Sequence, residues 1–340
     1  MSRADKMARF VAGAGLDPAN IRPLAADASF RQYFRVTGQP SHVLMDAPPD
    51  KEDIIPFMAI AQHLNNLGLS APRSIAHNFE DGFLLSEDMG DDTFTRLLDK
   101  GAAEADLYSA AIDVLVRLHA EPPPPTITIN NGPDFSVPPY DDATLLGEVC
   151  LLTEWYLPTC GINISDDRIA EFKAHWLSIF DACRVGPKVL VLRDYHVDNL
   201  MMLAGRTGNA QVGLLDFQDA LIGPAAYDLV SLLHDCRHHV PPKIEAAMLD
   251  RYLAARPELD STAFQRAYTI IGAQRQTKII GIFTRLWKRD NKPAYVRMIP
   301  YLWDLLDRVL AEPALAGIKT WMDANIPRDM RRKPLPGSDI

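Results

Sequence analysis

Cysteine is scarce in this chain: Cys150, Cys160, Cys183 and Cys236 are widely spaced and form no CxxC pair. That excludes a disulfide scaffold and a paired-cysteine zinc or redox site, and the expectation is reduced, mostly buried thiols. None of the four carries a local activating motif, so a cysteine nucleophile is not favoured. Positive charge is in deficit as well. The formal net charge of -9 argues against a nucleic-acid partner, since such binders carry a basic face. It does not argue against a nucleoside triphosphate, because a few local cations and Mg2+ can hold the phosphates. No run approaches the roughly 20 apolar residues that a membrane span needs. The N-terminal MSRADKMARFVAGAGLD lacks the apolar core and small-residue cleavage site of a secretory signal. The expected setting is the cytoplasm, with no membrane, no nucleic acid and no obligate protein partner. Gly13-Ala14-Gly15 is not a dinucleotide fingerprint, because no strand precedes it and the third glycine is missing.

What is present is an ordinary globular composition on 340 residues, enough to bury a core in one large domain or two lobes. Residues 3–14 have the period of a short amphipathic helix, and 21–24, 33–37 and 42–45 read as short strands of an antiparallel meander. Apolar Ile54, Phe57, Ile60, Ala61 and Leu64 give 53–67 a helical period that Gly68 closes, and 82–86 reads as a further strand. Helical periods then dominate: 103–120, 142–157, 166–182, 225–239, 243–255, 262–289 and 294–311. The proline-rich stretch 122–139 is expected to be a loop or an extended spacer, and the tail from about Arg328 to be poorly ordered. One island of strand interrupts the helices. Val189 to Leu192 is a short apolar run, and 200–203 and 212–215 flank a turn with hairpin chemistry around Gly205 and Gly208.

The chemistry sits on the loops of that island. After the first strand comes Arg193-Asp194-Tyr195-His196-Val197-Asp198-Asn199, and after the hairpin comes Asp216-Phe217-Gln218-Asp219. An Asp-x4-Asn alone is common by chance, and an Asp closing a strand usually caps the next turn. Both fragments together, each after an apolar strand and joined by a hairpin, give the arrangement phosphoryl transfer needs. Asp194 would position and deprotonate the acceptor hydroxyl, while Asn199 and Asp216 would hold Mg2+ against the phosphate oxygens.

RDYHVDN followed by LLDFQDALIGPAAYDL resembles the catalytic and metal-binding motifs of the aminoglycoside phosphotransferase and choline kinase superfamily. The resemblance covers nearly the whole chain. It implies an α+β, protein-kinase-like two-lobed fold, with a small β-rich lobe over 1–89 and a large, mainly helical lobe over 90–340. It implies ATP and Mg2+, with Asp194 as base and Asn199 and Asp216 as metal ligands. His196 matches a frequent position of the catalytic loop, and Asp228 an Asp expected to cap the helix after Gly223-Pro224. VLMDAPPDKED, LLSEDMGDDTF, LLTEWYLP and AQRQTKIIGIFTRLWKRDNKP look like the anomeric amino-sugar kinases of bacterial cell-wall recycling. Those enzymes phosphorylate the C1 hydroxyl of N-acetylmuramate and N-acetylglucosamine. Two alternatives stay open: a kinase of another hydroxylated small molecule (aminoglycoside, choline or homoserine), and a non-catalytic, pseudokinase-like nucleotide binder.

The chain departs from the family pattern twice. The third strand, His42-Val43-Leu44-Met45, lacks the usual lysine, and the following helix offers Gln62 where a glutamate would pair with it. Losing both together avoids a buried lone charge. Arg31, Arg35 and Lys51 are the candidate replacement cations. The usual histidine before the catalytic loop is Leu192.

The turn over the nucleotide would be 27–31, with Ser29 and Arg31, and the hinge would be Glu87-Asp88-Met89. His234 and His238 suggest a metal cluster, but no third ligand or HExxH pattern accompanies them. Asp235 and Arg237 are instead candidates to touch sugar hydroxyls or a carboxylate. Glu154 and Trp155 are candidates to line a sugar pocket, against the default of a core tryptophan. Arg275, a charge on a long apolar helix, implies a structural or substrate partner.

Overall fold

A computed structural model describes residues 1–24, 30–130, 132–336 and 338. The chain forms two compact units, Met1–Pro138 with Val197–Ala220, and Pro139–His196 with Leu221–Ile340.

The first unit is built on an antiparallel sheet of five strands, β1 (Ile21–Pro23), β2 (Gln32–Val36), β3 (His42–Asp46), β4 (Ser74–Asn78) and β5 (Phe83–Glu87). Their order is β1-β2-β3-β5-β4. Register follows side-chain alternation: Leu44 lies opposite Phe34 and Leu85. Val36, Leu44, Phe83 and Leu85 turn one face onto Val11 of the helix α1 (Arg3–Gly13), and each such side chain contributes roughly 1.5–3 kcal/mol by leaving water. A capping box opens α1, with Ser2 accepting the Asp5 N–H and Asp5 accepting the Ser2 N–H. The second helix, α2 (Ile55–Asn66), buries Phe57, Ile60, Ala61 and Leu64, the stripe expected from the sequence.

The hairpin Leu200–Met202/Val212–Leu214 also belongs to this unit. Leu214 N–H donates to Ser70 O at 2.8 Å and Met202 N–H to Asp92 O at 2.9 Å. These bonds hold the hairpin to the sheet side of the chain. Packing therefore divides the molecule differently from a single cut after Met89.

The second unit is helical around Ser261–Asp290, whose first turn is capped by Asp260 accepting the Ala263 N–H. This helix packs against Asp142–Leu151, Ala226–Leu233 and Ile299–Val309. Its middle is buried on all sides yet carries Gln274, Arg275, Gln276, Thr277 and Lys278. The expected helix 142–157 is interrupted by a π-helical turn, Leu152–Tyr156. Gly281 lies against it so closely that a Cβ there would fall 2.4 Å from the Leu151 carbonyl carbon.

Several expectations need correction. The helix expected over 225–239 is Ala226–Leu233. It stops because Asp235 Oδ1 accepts the Arg237 N–H at 2.9 Å, a local turn that competes with helix. His234 and His238 are thus not one helical turn apart. Strand β4 was not anticipated, nor were the pairing of Val189–Val191 with Leu221–Gly223 and the ribbon Thr126–Thr128/Asp134–Ser136 within the supposed loop. The tail contains a short helix, Arg328–Arg331, in which buried Arg331 pairs with Asp307 at 2.8 Å and Asp323 at 2.9 Å. Among the described residues no helix is long and apolar enough to cross a membrane.

Candidate active site

The loop bearing Asp194 leaves the fully buried strand Val189–Val191 and is fixed by its backbone. Arg193 has φ 71°, a left-handed conformation that costs a non-glycine residue energy and persists only where surroundings impose it. Those surroundings are identifiable. Asp228 accepts the N–H groups of Leu192 at 2.7 Å and Arg193 at 2.9 Å. Ser231 Oγ donates to the Arg193 carbonyl at 3.0 Å, and Arg275 Nη2 donates to Ser231 Oγ at 2.8 Å. Asp228 is therefore a brace for the loop and not the helix cap expected from the sequence; the Ala226–Leu233 helix has no side-chain cap. Burial pushes its carboxyl up to about 7, even though the two N–H bonds favour the charged form.

The Arg193 side chain enters a buried ionic cluster. Glu148 accepts from Arg193 at 2.6 Å, Lys278 at 2.7 Å and Gln274 at 2.9 Å, and from the Tyr140 hydroxyl. Lys278 also donates to the Tyr227 hydroxyl at 3.0 Å. Burial alone would raise Glu148, but Lys278 and then Arg193 outweigh it and hold the carboxyl at about 2. Asp194 in turn favours the charged forms of Arg193 and Lys278.

The chain passes from one unit to the other between His196 and Val197. In the first unit, Asn199 Nδ2 lies 3.4 Å from Asp216 Oδ2, and Gln218 Nε2 donates to Asp216 Oδ1 at 2.7 Å. Asp216 has φ 57°, a second non-glycine residue in left-handed backbone. The next residue, Phe217, stacks on Phe57 of α2 with ring centroids 4.9 Å apart, which anchors the turn. Asn199 and Asp216 fit a hard divalent ion: an amide and a carboxylate converge, as suits Mg2+, which takes few protein ligands and completes its shell with water and phosphate.

Beyond Asp216, Gln218 and Asp219 line a cleft of about 350 Å³ with Arg31, Lys51, Glu52 and Asp53. Of the three candidate cations, Arg31 and Lys51 line this cleft, Arg31 within 3.7 Å of Glu52. Arg35 lies outside that lining and is paired with Asp88 at 2.7 Å and Asp91 at 3.1 Å. Those pairs, with Ser41 donating to Asp88 at 2.8 Å, clasp the expected hinge. Glu87 ends β5 and pairs with Arg206, while Met89 packs where a Cβ on Gly213 would come 2.9 Å from its sulfur. Ser29 lies outside the described residues.

The remaining candidates divide. His196, Asp235 and Arg275 are buried in the second unit, with Arg237 half-buried beside Asp235. Glu154 is exposed and Trp155 half-buried on the π turn; neither is drawn into the hydrogen bonds that brace the Asp194 loop. His234 pairs with Glu245 at 2.8 Å, and among the described residues no group of three or more His, Cys, Asp or Glu could hold a metal.

Residues 20–264 match the phosphotransferase enzyme family. The chain belongs to it. It is 40% identical to an N-acetylmuramate/N-acetylglucosamine kinase of Caulobacter vibrioides, over 96% of this chain and 97% of that one. It is 36% identical to a Pseudomonas aeruginosa kinase of the same name, over 88% of this chain and 86% of the other. Among solved structures, a choline/ethanolamine kinase family protein from Mesorhizobium loti matches with TM-score 0.60 at 10% identity, covering 95% of this chain and 100% of that one. A streptomycin–ATP–APH(2")-IIa ternary complex matches with TM-score 0.55 at 16% identity, covering 92% and 98%. The fold is that of the aminoglycoside and choline kinases, and the chain is a small-molecule kinase.

For a phosphotransferase of this family, sequence reasoning overlooked Glu148 and Lys278. Each sits, like Arg275, on an otherwise apolar helix. Opposite charges on two apolar helices, Glu148 and Lys278, are the signal that points to their pairing.

Proposed function

We propose that this phosphotransferase moves the γ-phosphoryl of ATP to the anomeric C1 hydroxyl of N-acetylmuramate and N-acetylglucosamine, in the cytoplasm, as a step of cell-wall recycling. The names and near-full coverage of the curated relatives support the acceptor. The carrying structural observation is a braced loop that presents Asp194 and runs on within five residues to Asn199, which meets Asp216.

In this reading Asp194 orients the acceptor hydroxyl and takes its proton as the new O–P bond forms. The bond from the γ-phosphorus to the bridging oxygen breaks, ADP leaving with the electron pair. Arg31, with Lys51, faces the triphosphate in place of the missing strand lysine. The backbone of Glu87 to Met89 borders the adenine, and Ser29 belongs to the turn above the phosphates. Functionally, 1–89 serves as the nucleotide lobe and 90–340 carries the catalytic loop and acceptor site. Mg2+, held by Asn199 and Asp216, would supply charge neutralisation to the phosphate oxygens. Regiochemistry follows from positioning, because one carboxylate on a fixed loop addresses only the hydroxyl presented to it.

The test is an acceptor panel with ATP and Mg2+: both N-acetylated sugars, choline, homoserine and an aminoglycoside. Turnover should be confined to the sugars. Preferential turnover of choline, homoserine or the aminoglycoside would contradict the acceptor assignment.

A further inference from the structure

Four cations gather in the unit that carries Asp194, and they are unequally neutralised. Arg193 and Lys278 share Glu148. Arg275 is 3% exposed, and its Nη2 donates to Ser231 while its Nη1 has no hydrogen-bond partner. Among the described residues no carboxylate stands within ion-pair distance of it. Arg237 meets Asp235 Oδ1 through Nη1 at 3.3 Å, and Asp235 also fixes the Arg237 backbone at 2.9 Å. Asp235 Oδ2 is buried without a partner. The side chains of Arg237 and Arg193 are 23% and 22% exposed, so these two are the accessible members of the group, and Arg193 is already held by Glu148 at 2.6 Å. Both guanidiniums act on His196, whose imidazole is driven well below its ordinary value by burial and then by these two charges. The ring two residues from Asp194 is therefore neutral and adds no charge of its own.

A guanidinium buried without a carboxylate is unfavourable by itself, and becomes less so when an anion approaches. We propose that Arg237, backed by Arg275, is a subsite for a carboxylate carried by the acceptor, and that it selects acidic amino sugars over neutral ones. This rests on the acceptor reading above, in which one sugar bears a lactyl carboxylate and the other does not. Arg237 makes the contact. Arg275, whose guanidinium is buried, acts through its field and by holding Ser231. Guanidinium suits this task because its planar fork matches a carboxylate.

The experiment measures kcat/KM of the full-length protein, with ATP and Mg2+, for N-acetylmuramate, its lactyl methyl ester and N-acetylglucosamine. In the wild type the acid should exceed its uncharged ester by roughly 10- to 100-fold, the worth of a charged hydrogen bond. Arg237→Gln should lower the acid-to-ester ratio toward one, chiefly through KM for the acid, and Arg237→Lys should restore part of it. Equal acid and ester rates in the wild type would overturn the proposal even if the variant failed to fold. So would a raised KM for ATP at an unchanged acid-to-ester ratio, which would assign the arginines to the triphosphate. Wild-type protein inert toward all three sugars would instead remove the acceptor reading, and this inference with it.

Discussion

Lys278 and Glu148 form a 2.7 Å ion pair in the interior of the helical unit, each side chain 9% exposed. Breaking one side of such a pair costs about 3–5 kcal/mol, because the other charge stays buried. Glu148→Gln should therefore destabilise the protein strongly near neutral pH. Glu148 is held at about 2 in the folded chain, against 4.5 ordinarily, so its contribution is present above the higher value. It fades as pH falls from 4.5 toward 2. Urea denaturation of wild type and variant across that window should show the gap narrowing with acidity; a gap that widened would contradict the ion-pair assignment.

Asp228 gives the opposite sign. Its folded carboxyl titrates at about 7 because of burial, whereas the unfolded one titrates near its ordinary 3.8. Between these values the native state binds more protons, so this group's contribution falls as pH rises, by at most about 1.4 kcal/mol per pH unit. Asp228→Asn lacks that slope. It should also lose one of the two backbone bonds and lower kcat by roughly 10- to 100-fold through displacement of the Asp194 loop. Stability measured at several pH values between 4 and 7 should give a steeper decline for wild type than for the variant; parallel curves would contradict it.

Much of this was legible in the sequence. The strands flanking Asp194 and Asp216 are short apolar runs, and the long helix over 262–289 has a clear period and a capping Asp260. Less legible were features decided by side chains distant in sequence. Asp228 looked like a cap because an Asp near a helix start usually is one; its two N–H partners are 35 and 36 residues away. The helix end at Leu233 was hidden because 234–239 keep a helical composition, and only the Asp235 turn breaks it. The left-handed backbone of Arg193 and Asp216 left no trace, since neither is glycine.

The close approach of the Ser261–Asp290 helix to the π turn makes its own prediction. A Cβ at Gly281 would lie 2.4 Å from the Leu151 carbonyl carbon and 2.6 Å from its carbonyl oxygen, backbone that has little room to retreat. Gly281→Ala should cost about 1–3 kcal/mol by overpacking, despite the better helix propensity of alanine. A thermal melt checks this; a raised Tm would show that the two elements separate freely.

The two aspartates of the site should fail in different ways. Asp194→Asn should cut kcat by several orders of magnitude with little change in nucleotide affinity, since its role lies with the acceptor hydroxyl. Asp216→Ala should weaken Mg–ATP binding as well as abolish turnover. Calorimetric titration of each variant with Mg–ATP separates them, and near-wild-type turnover by Asp194→Asn would remove the assignment of the base.

The most direct measurement is of where the phosphate goes. N-acetylmuramate treated with the protein, ATP and Mg2+ should yield the 1-phosphate, so the reducing end disappears as ADP forms, and the C1 methyl glycoside should be inert. A phosphorylated product that still reduces, or phosphorylation of the methyl glycoside, would contradict transfer to the anomeric hydroxyl.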